Sequence, residues 1–538
     1  MSSSRPGWPG SGDGRPGFDM IGAVGGGVAI RRLHCVGMAG TGMKAVAEWF
    51  SAVGWRVTGS DRSATPEVVA KFQSRGMELH PEHSAKHLPP VADLLIYSPA
   101  VPESNPERRA ALKRGIPQWS YPQALGQLMH GREGISIAGT HGKSTTTALV
   151  GHVLTYAGLA PSILCGAEMM DTGLNGVLGR SYVRQNVGEP CGPSTLPTTS
   201  SHSSGDGPRT TPIDVRPPSG GGRYGESTLP LLVAESCEYR GHFLELSPRV
   251  VGLLGIEPDH FDCFPTFDSA LATYREFISR IPASGLLVVN LDCPASCAIA
   301  PASPARKVFV STTDERADYF VQGADSTEAG LSLTIRLSDR STIDIECPLW
   351  GQHHAINIVT ALAIAAERGV CPAVFAAGVA TFAGIRRRFE RRGDWSGVAW
   401  IDDYAHHPTA VQALIEAARD RFPSRRIWCL FQPHQISRTR ELAAGFVAAL
   451  SRADGVLVQP VFGAREAAGT ERIDLARQLV EGVRRQNPNA HFVADLDHTW
   501  TTLETHTRPG DVVLTVGAGD IDRIYYELTG RLRQHHAS

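Results

Sequence analysis

The stretch GISIAGTHGKSTTTALV, Gly134 to Val150, limits what this chain can fold into more than any other. An apolar run ending at Ala138 reads as a buried parallel strand. A tight turn, Gly139-Thr140-His141-Gly142, follows, then Lys143-Ser144 and a helix-forming segment opening at Thr145. Strand, glycine turn and helix in that order are what phosphate binding requires. Small residues let backbone N–H groups close on the oxygens, and the helix N-terminus presents its positive dipole end. Lys143 would neutralise terminal phosphate oxygens, and the Ser144 hydroxyl would reach a magnesium ion. The generic pattern has glycine where this chain has Ile137, so the match is not strict. The reading is a nucleoside-triphosphate site.

At 538 residues the chain is too long for one core, and about three domains are expected. A net charge of -2 leaves no electrostatic footprint for nucleic acid or an anionic membrane. There is no run of eighteen apolar residues for a transmembrane helix. Ten scattered cysteines fit free thiols in a reducing cytoplasm, and Cys293 and Cys297 lack a second pair at zinc-ligand spacing. Residues 1–30, rich in Ser, Gly and Pro, read as a disordered tail.

From Arg31 the chain alternates strand and helix. A strand to Val36 meets the glycine turn GMAGTGM and a helix from Lys44 to Phe50. A second strand, Arg56 to Gly59, ends in Ser60-Asp61, where a ribose could sit. Further strands at Leu94 to Ser98 and near Gln118 make residues 31–131 a parallel, helix-covered sheet. Residues 132–385 hold the phosphate loop. Between about 180 and 228 a Ser/Thr/Pro/Gly-rich insertion lacks any hydrophobic period. Strand Leu231 to Ala234 delivers Glu235, and strand Arg249 to Gly255 delivers Ile256-Glu257-Pro258-Asp259-His260. A carboxylate and a histidine at strand ends beside the loop are placed to hold a divalent ion. Phe382 to Phe389, FAGIRRRF, is a basic hinge. Residues 386–538 show a third alternation, including helices expected at Arg438 to Leu450 and Ile521 to Arg533. Its polar clusters DDYAHH (Asp402 to His407), Gln432-Pro433-His434 and Gly517 to Asp520 fall on the ligand edge.

In order, the motifs GMAGTGM, SPAVPESNPE, GTHGKSTT, EPDHFD, FAGIRRRF, DDYAHHP, FQPHQISRT and GAGDI resemble those of the muramyl ligase family, from about Arg31 to Leu528. The resemblance implies an α/β fold of three domains: an N-terminal Rossmann-like domain for a UDP-sugar, a central P-loop ATPase domain with a mixed sheet, and a C-terminal Rossmann-like domain closing over both. It implies a cytoplasmic monomer or homodimer using ATP and Mg2+ to join L-alanine to the lactyl carboxylate of UDP-N-acetylmuramate through an acyl phosphate. In that reading Lys143, His260 and Arg388 are catalytic. Gly139, Thr140, His141, Gly142, Lys143, Ser144, Thr145, Asn357, Arg388 and Asp403 hold ATP. Gly40, Gly42, Ser60, Asp61, Ser98 and His141 hold the UDP-sugar. Tyr404, His406 and Arg438 receive the amino acid, and Ser144, Glu235 and His260 hold the metal.

The chain departs from the family pattern in four places, the mildest being Ser144 for threonine. Gln435 stands in FQPHQISRT where arginine is usual, and His354 in GQHHAIN where asparagine is usual. In ESCEYRGHF, Cys237 and Arg240 replace aspartates while Glu235 and Glu238 are kept. The nearest rival activity attaches a recycled tripeptide to the same UDP-sugar, but FQPH followed by SRT favours the alanine reaction. An NAD-dependent oxidoreductase, argued from the first glycine turn, has no use for Lys143 or the third domain. A non-catalytic nucleotide binder would be favoured by loss of Lys143, Glu235 or His260, and all are present.

Overall fold

Three separate runs of aliphatic strands, each closed by a polar or glycine turn, build three sheets. A computed structural model describes residues 31–179, 229–464, 470–527 and 530. The expected tail at 1–30 and the insertion at about 180–228 lie outside the described residues. The α/β class expected from the sequence is borne out in all three domains.

The N-terminal sheet is five parallel strands in the order Glu78–His80, Arg56–Ser60, Arg32–Val36, Leu94–Tyr97 and Gln118–Ser120. Helix Thr41–Ala52 buries Met43, Val46, Trp49 and Phe50. The order reverses at Arg32–Val36, so the glycine turn after it opens at the crevice where such sheets take ligands.

The central sheet has ten strands. The phosphate-loop strand, Glu133–Ala138, lies between Val250–Leu253 and Leu231–Glu235. Those neighbours are the ones delivering Glu257 to His260 and Glu235, so topology alone puts these side chains beside the loop. The sheet is mixed, because Leu331–Arg336, Thr342–Cys347 and Gly176–Val177 run antiparallel to their neighbours. Ile135 and Ile137 are fully buried, each contributing roughly 1.5–3 kcal/mol to a rigid platform under the loop. Helix His354–Glu367 is buried on almost every face and packs on the loop helix Lys143–Tyr156. Its alanines permit that close approach.

The C-terminal sheet runs Glu390–Trp395, Val398–Asp403, Val512–Val516, Ile427–Phe431, Gly455–Val458 and Ala490–Phe492, antiparallel only at its first pair. The three polar clusters noted in the sequence therefore follow three adjacent strands. Two helices differ from expectation. Arg438 to Leu450 is not one helix but Ile436–Glu441 and Ala443–Leu450, broken at Leu442. The last begins as a 3-10 turn over Ile521–Arg523. Among the described residues no helix is long and apolar enough to cross a membrane.

Candidate active site

The phosphate loop has the geometry its sequence calls for. Gly139 and Gly142 adopt φ of +134° and +76°, a region costly for side-chain-bearing residues. A Cβ on Gly142 would also be driven into the Asn357 side chain, which explains how Asn357 comes to line the loop. Thr140 binds the loop to the neighbouring strand end: its N–H donates to the Gly255 carbonyl (2.8 Å), and its Oγ1 accepts the Glu257 N–H (2.9 Å). Lys143 folds back. Its Nζ donates to the Gly139 and Thr140 carbonyls (2.6 and 3.2 Å) and pairs with Glu238 at 3.1 Å. Ser144 and Thr145 are buried at the helix start.

Glu238, in the departed acidic run, is the carboxylate that sequence reasoning left out of the site. It is 3% exposed and lies between Lys143 and the His260 Nε2, 3.5 Å away. Burial pushes its carboxyl up, but Lys143 and His260 outweigh that and hold it at about 2. A carboxyl depressed from 4.5 contributes stability that is complete above its unfolded value and lost as pH falls from about 4.5 towards 2. Urea midpoints between pH 6 and pH 3 are expected to fall through that window. The acid slope is expected to flatten in Glu238→Gln. An equal slope in wild type and variant would contradict the assignment.

Beyond His260 the chain of charges continues. Asp259 Oδ1 accepts the His260 N–H (2.7 Å) and the Arg438 Nε–H (2.7 Å). Arg438, 2% exposed, also donates to the His434 carbonyl at 3.2 Å. The structure thus places Arg438 behind the cavity wall as the partner of Asp259.

The cavity itself, about 730 Å³, is walled by all three domains. Thr41, Lys44 and Lys71 come from the first, with Lys143, Ser144, Glu235 and Asn357 from the second. Arg388, Asp403, Tyr404 and His406 come from the third. Glu235 accepts the Gly166 N–H at 2.7 Å through Oε2. Asp403 takes the N–H groups of Phe389 and Ala405, both at 2.8 Å; burial raises its carboxyl above the usual range while Arg388 opposes that shift. Arg388 lies over the Tyr404 ring at 5.5 Å. Its neighbour Arg387 has another task, donating to the carbonyls of Gly517 and Gly519 (2.7 and 3.1 Å) and pairing with Asp402. His406 donates its Nδ1–H to the Tyr404 carbonyl at 2.8 Å, and burial followed by the nearby Arg438 charge keeps the ring neutral. His354 is buried and neutral, its Nδ1 3.3 Å from the Asn357 Nδ2. It shares the wall with Asn357 and holds that side chain.

The residues assigned to the UDP-sugar are mostly engaged internally. Ser60 Oγ donates to the buried Glu107 at 2.6 Å. Asp61 caps the glycine turn by accepting the Ala39 N–H at 2.9 Å. Gly42 admits the Tyr121 ring, which would lie 2.5 Å from any Cβ there. Ser98 abuts Gly37, and Gly40 precedes helix Thr41–Ala52. Cys293 accepts the Ile256 N–H at 3.3 Å and has a packing role.

Fold and site together define a three-domain nucleotide-dependent enzyme whose phosphate loop faces a cavity walled by all three domains. The description "Mur ligase family, catalytic domain" matches residues 32–133, "Mur ligase middle domain" residues 137–365, and "Mur ligase, glutamate ligase domain" residues 387–519. The chain belongs to the Mur ligase family. It is 33% identical over 514 residues to a UDP-N-acetylmuramate–L-alanine ligase of Kineococcus radiotolerans, covering 95% of this chain and 98% of that one. A relative of the same name from Desulfitobacterium hafniense is 32% identical over 496 residues, covering 91% and 98%. Among solved structures, the UDP-N-acetylmuramate–alanine ligase of Thermotoga maritima superposes with a TM-score of 0.71 at 22% identity, covering 94% and 99%. A murein peptide ligase of Psychrobacter arcticus gives 0.67 at 23%, covering 93% and 98%. At those identities the two structures speak to the fold.

Proposed function

We propose that the protein is an ATP-dependent ligase of peptidoglycan synthesis, joining L-alanine to the lactyl carboxylate of UDP-N-acetylmuramate with release of ADP and phosphate. The observation that carries this is the single cavity in which the phosphate loop, the Glu235 carboxylate and the polar edge of the C-terminal sheet meet residues of the N-terminal domain. The names of the most similar relatives supply the substrates.

A carboxylate is a poor electrophile, and phosphorylation supplies its leaving group. The lactyl carboxylate oxygen attacks the γ-phosphorus and the bond to ADP breaks. The alanine amine then adds to the acyl carbonyl, and phosphate leaves from the tetrahedral adduct. Two anions must first be brought together, so cations decide the rate. Lys143 leaves the Gly139 and Thr140 carbonyls for the phosphates, and Arg388 meets them from the C-terminal domain. Asn357 and Asp403 hold the nucleotide. His406, with its Nδ1–H committed, offers Nε2 to the incoming amine beside Tyr404. Arg438 acts as a positioning residue through Asp259.

The residues fit a magnesium ion. Ser144 and Glu235 offer oxygens at the cavity wall, and His260 Nδ1 is buried without a hydrogen-bond partner. Ser144, Glu235 and His260 would hold such an ion, which would supply positive charge against the phosphates, with Glu238 beside His260.

The test is phosphate release from Mg-ATP and UDP-N-acetylmuramate with L-alanine, glycine, L-serine or the recycling tripeptide. Release dependent on L-alanine, with the amide seen by mass spectrometry, is expected. Release with the tripeptide alone would move the protein to the recycling reaction. Release with none would refute the ligase reading.

A further inference from the structure

Beside the nucleotide site, three side chains from distant parts of the sequence converge on one point that the reaction above does not use. His141 Nε2 and His407 Nδ1 lie 3.6 and 3.5 Å from the same oxygen, Glu257 Oε2. The two rings are 4.8 Å apart. His141 belongs to the phosphate loop, Glu257 to the strand end beside it, and His407 caps helix Pro408–Arg421 of the C-terminal domain.

The hydrogen bonds fix which atoms of this cluster can take a cation. His407 Nε2 lies 3.3 Å from the Pro258 carbonyl, which can only accept, so Nε2 carries the proton. Its Nδ1 is the acceptor and spends its one lone pair on a long 3.4 Å bond from the Thr409 N–H, the cap of the helix, so a metal bound there would take the place of that bond. The same nitrogen lies beside a carboxylate oxygen. Across the cluster, His141 Nε2 is buried with no hydrogen-bond partner. The Thr409 hydroxyl donates to Glu257 Oε2 at 2.7 Å. Glu257 Oε2 thus has two imidazole nitrogens within 3.6 Å, close enough for a single cation, a proton on His141 or a metal ion, to be shared among them.

We propose that His141, Glu257 and His407 form a transition-metal site of the zinc type, separate from the magnesium position, fastening the C-terminal domain to the phosphate loop. Two imidazoles with one carboxylate favour zinc or cobalt over magnesium, which prefers oxygen alone. At metal–ligand distances of about 2.0–2.1 Å, tetrahedral ligand atoms stand about 3.3–3.4 Å apart. The two nitrogen–oxygen separations are already near that, and all three ligand atoms lie within 4.8 Å of one another. A small inward turn of one ring completes the set. His407 has the carbonyl partner that fixes the tautomer of ligating histidines. His141 and His407 both border the cavity, leaving a fourth position open to water or ligand.

The test is titration of metal-stripped full-length protein with Co2+ alone, without nucleotide, read by visible absorption and reversed with Zn2+. One equivalent with the intense bands of a four-coordinate centre is expected. Glu257→Gln and His407→Gln should each weaken binding at least about tenfold, as for loss of one of three ligands. Glu235→Gln should leave the bands unchanged. If Glu257→Gln does not fold by circular dichroism, His141→Gln serves in its place. Absence of the bands, their survival in the ligand variants, or their loss in Glu235→Gln would overturn the proposal.

Discussion

Lys143→Met is expected to lower ligation by at least about 10^2–10^3-fold, the loss seen when one preorganised charge-stabilising donor is removed. The lysine's amine rests on two loop carbonyls and the buried Glu238, so it is already at the helix N-terminus where phosphates dock. The substitution also leaves Glu238 buried with only His260 for a partner. Breaking one side of a buried pair costs about 3–5 kcal/mol, so loss of activity alone would not separate chemistry from stability. The double variant Lys143→Met/Glu238→Gln separates them. It removes the stranded charge, and its urea midpoint should recover towards wild type while phosphate release stays absent. Activity regained along with stability would show that Lys143 serves only the fold.

Asp259→Asn is expected to cost about 3–5 kcal/mol of stability, because it strands a guanidinium that is 2% exposed. Among the described residues, Arg438 then keeps the His434 carbonyl and ring as hydrogen-bond partners. Asp259→Leu/Arg438→Met, which replaces both charges with apolar groups, should restore most of the loss. Unfolding of the two single variants and the double gives the coupling directly. Additive effects would contradict the pairing. Asp259 also holds the His260 N–H, so the double variant should fold and yet turn over slowly. Full turnover in it would remove Asp259 and Arg438 from the positioning role.

Local order made much of the site legible. Strand, glycine turn and helix located the phosphate loop, and the strand ends located Glu235 and the Glu257 to His260 segment. The C-terminal polar clusters were read as strand ends, and the sheet order makes them neighbours. What escaped the sequence is long-range. Asp259 and Arg438 are 179 residues apart, and no periodicity connects them. The same holds for His141, Glu257 and His407. Glu238 was visible as a kept acid, but its place between Lys143 and His260 depends on a turn in which Arg240 and Gly241 take positive φ. Strand Glu390–Trp395, ERRGDW, is mostly charged and lies at the edge of its sheet, where charged side chains guard an unpaired backbone. Gly42 reads as a ligand glycine, yet the Tyr121 ring accounts for it.

Phosphorylation of the lactyl carboxylate before the amine attacks leaves an isotopic signature. UDP-N-acetylmuramate labelled with 18O in that carboxylate, turned over with Mg-ATP and L-alanine, reads it. One labelled oxygen is expected in each phosphate released, with none in ADP. Label retained entirely outside the phosphate, or transferred to AMP, would contradict the acyl-phosphate route.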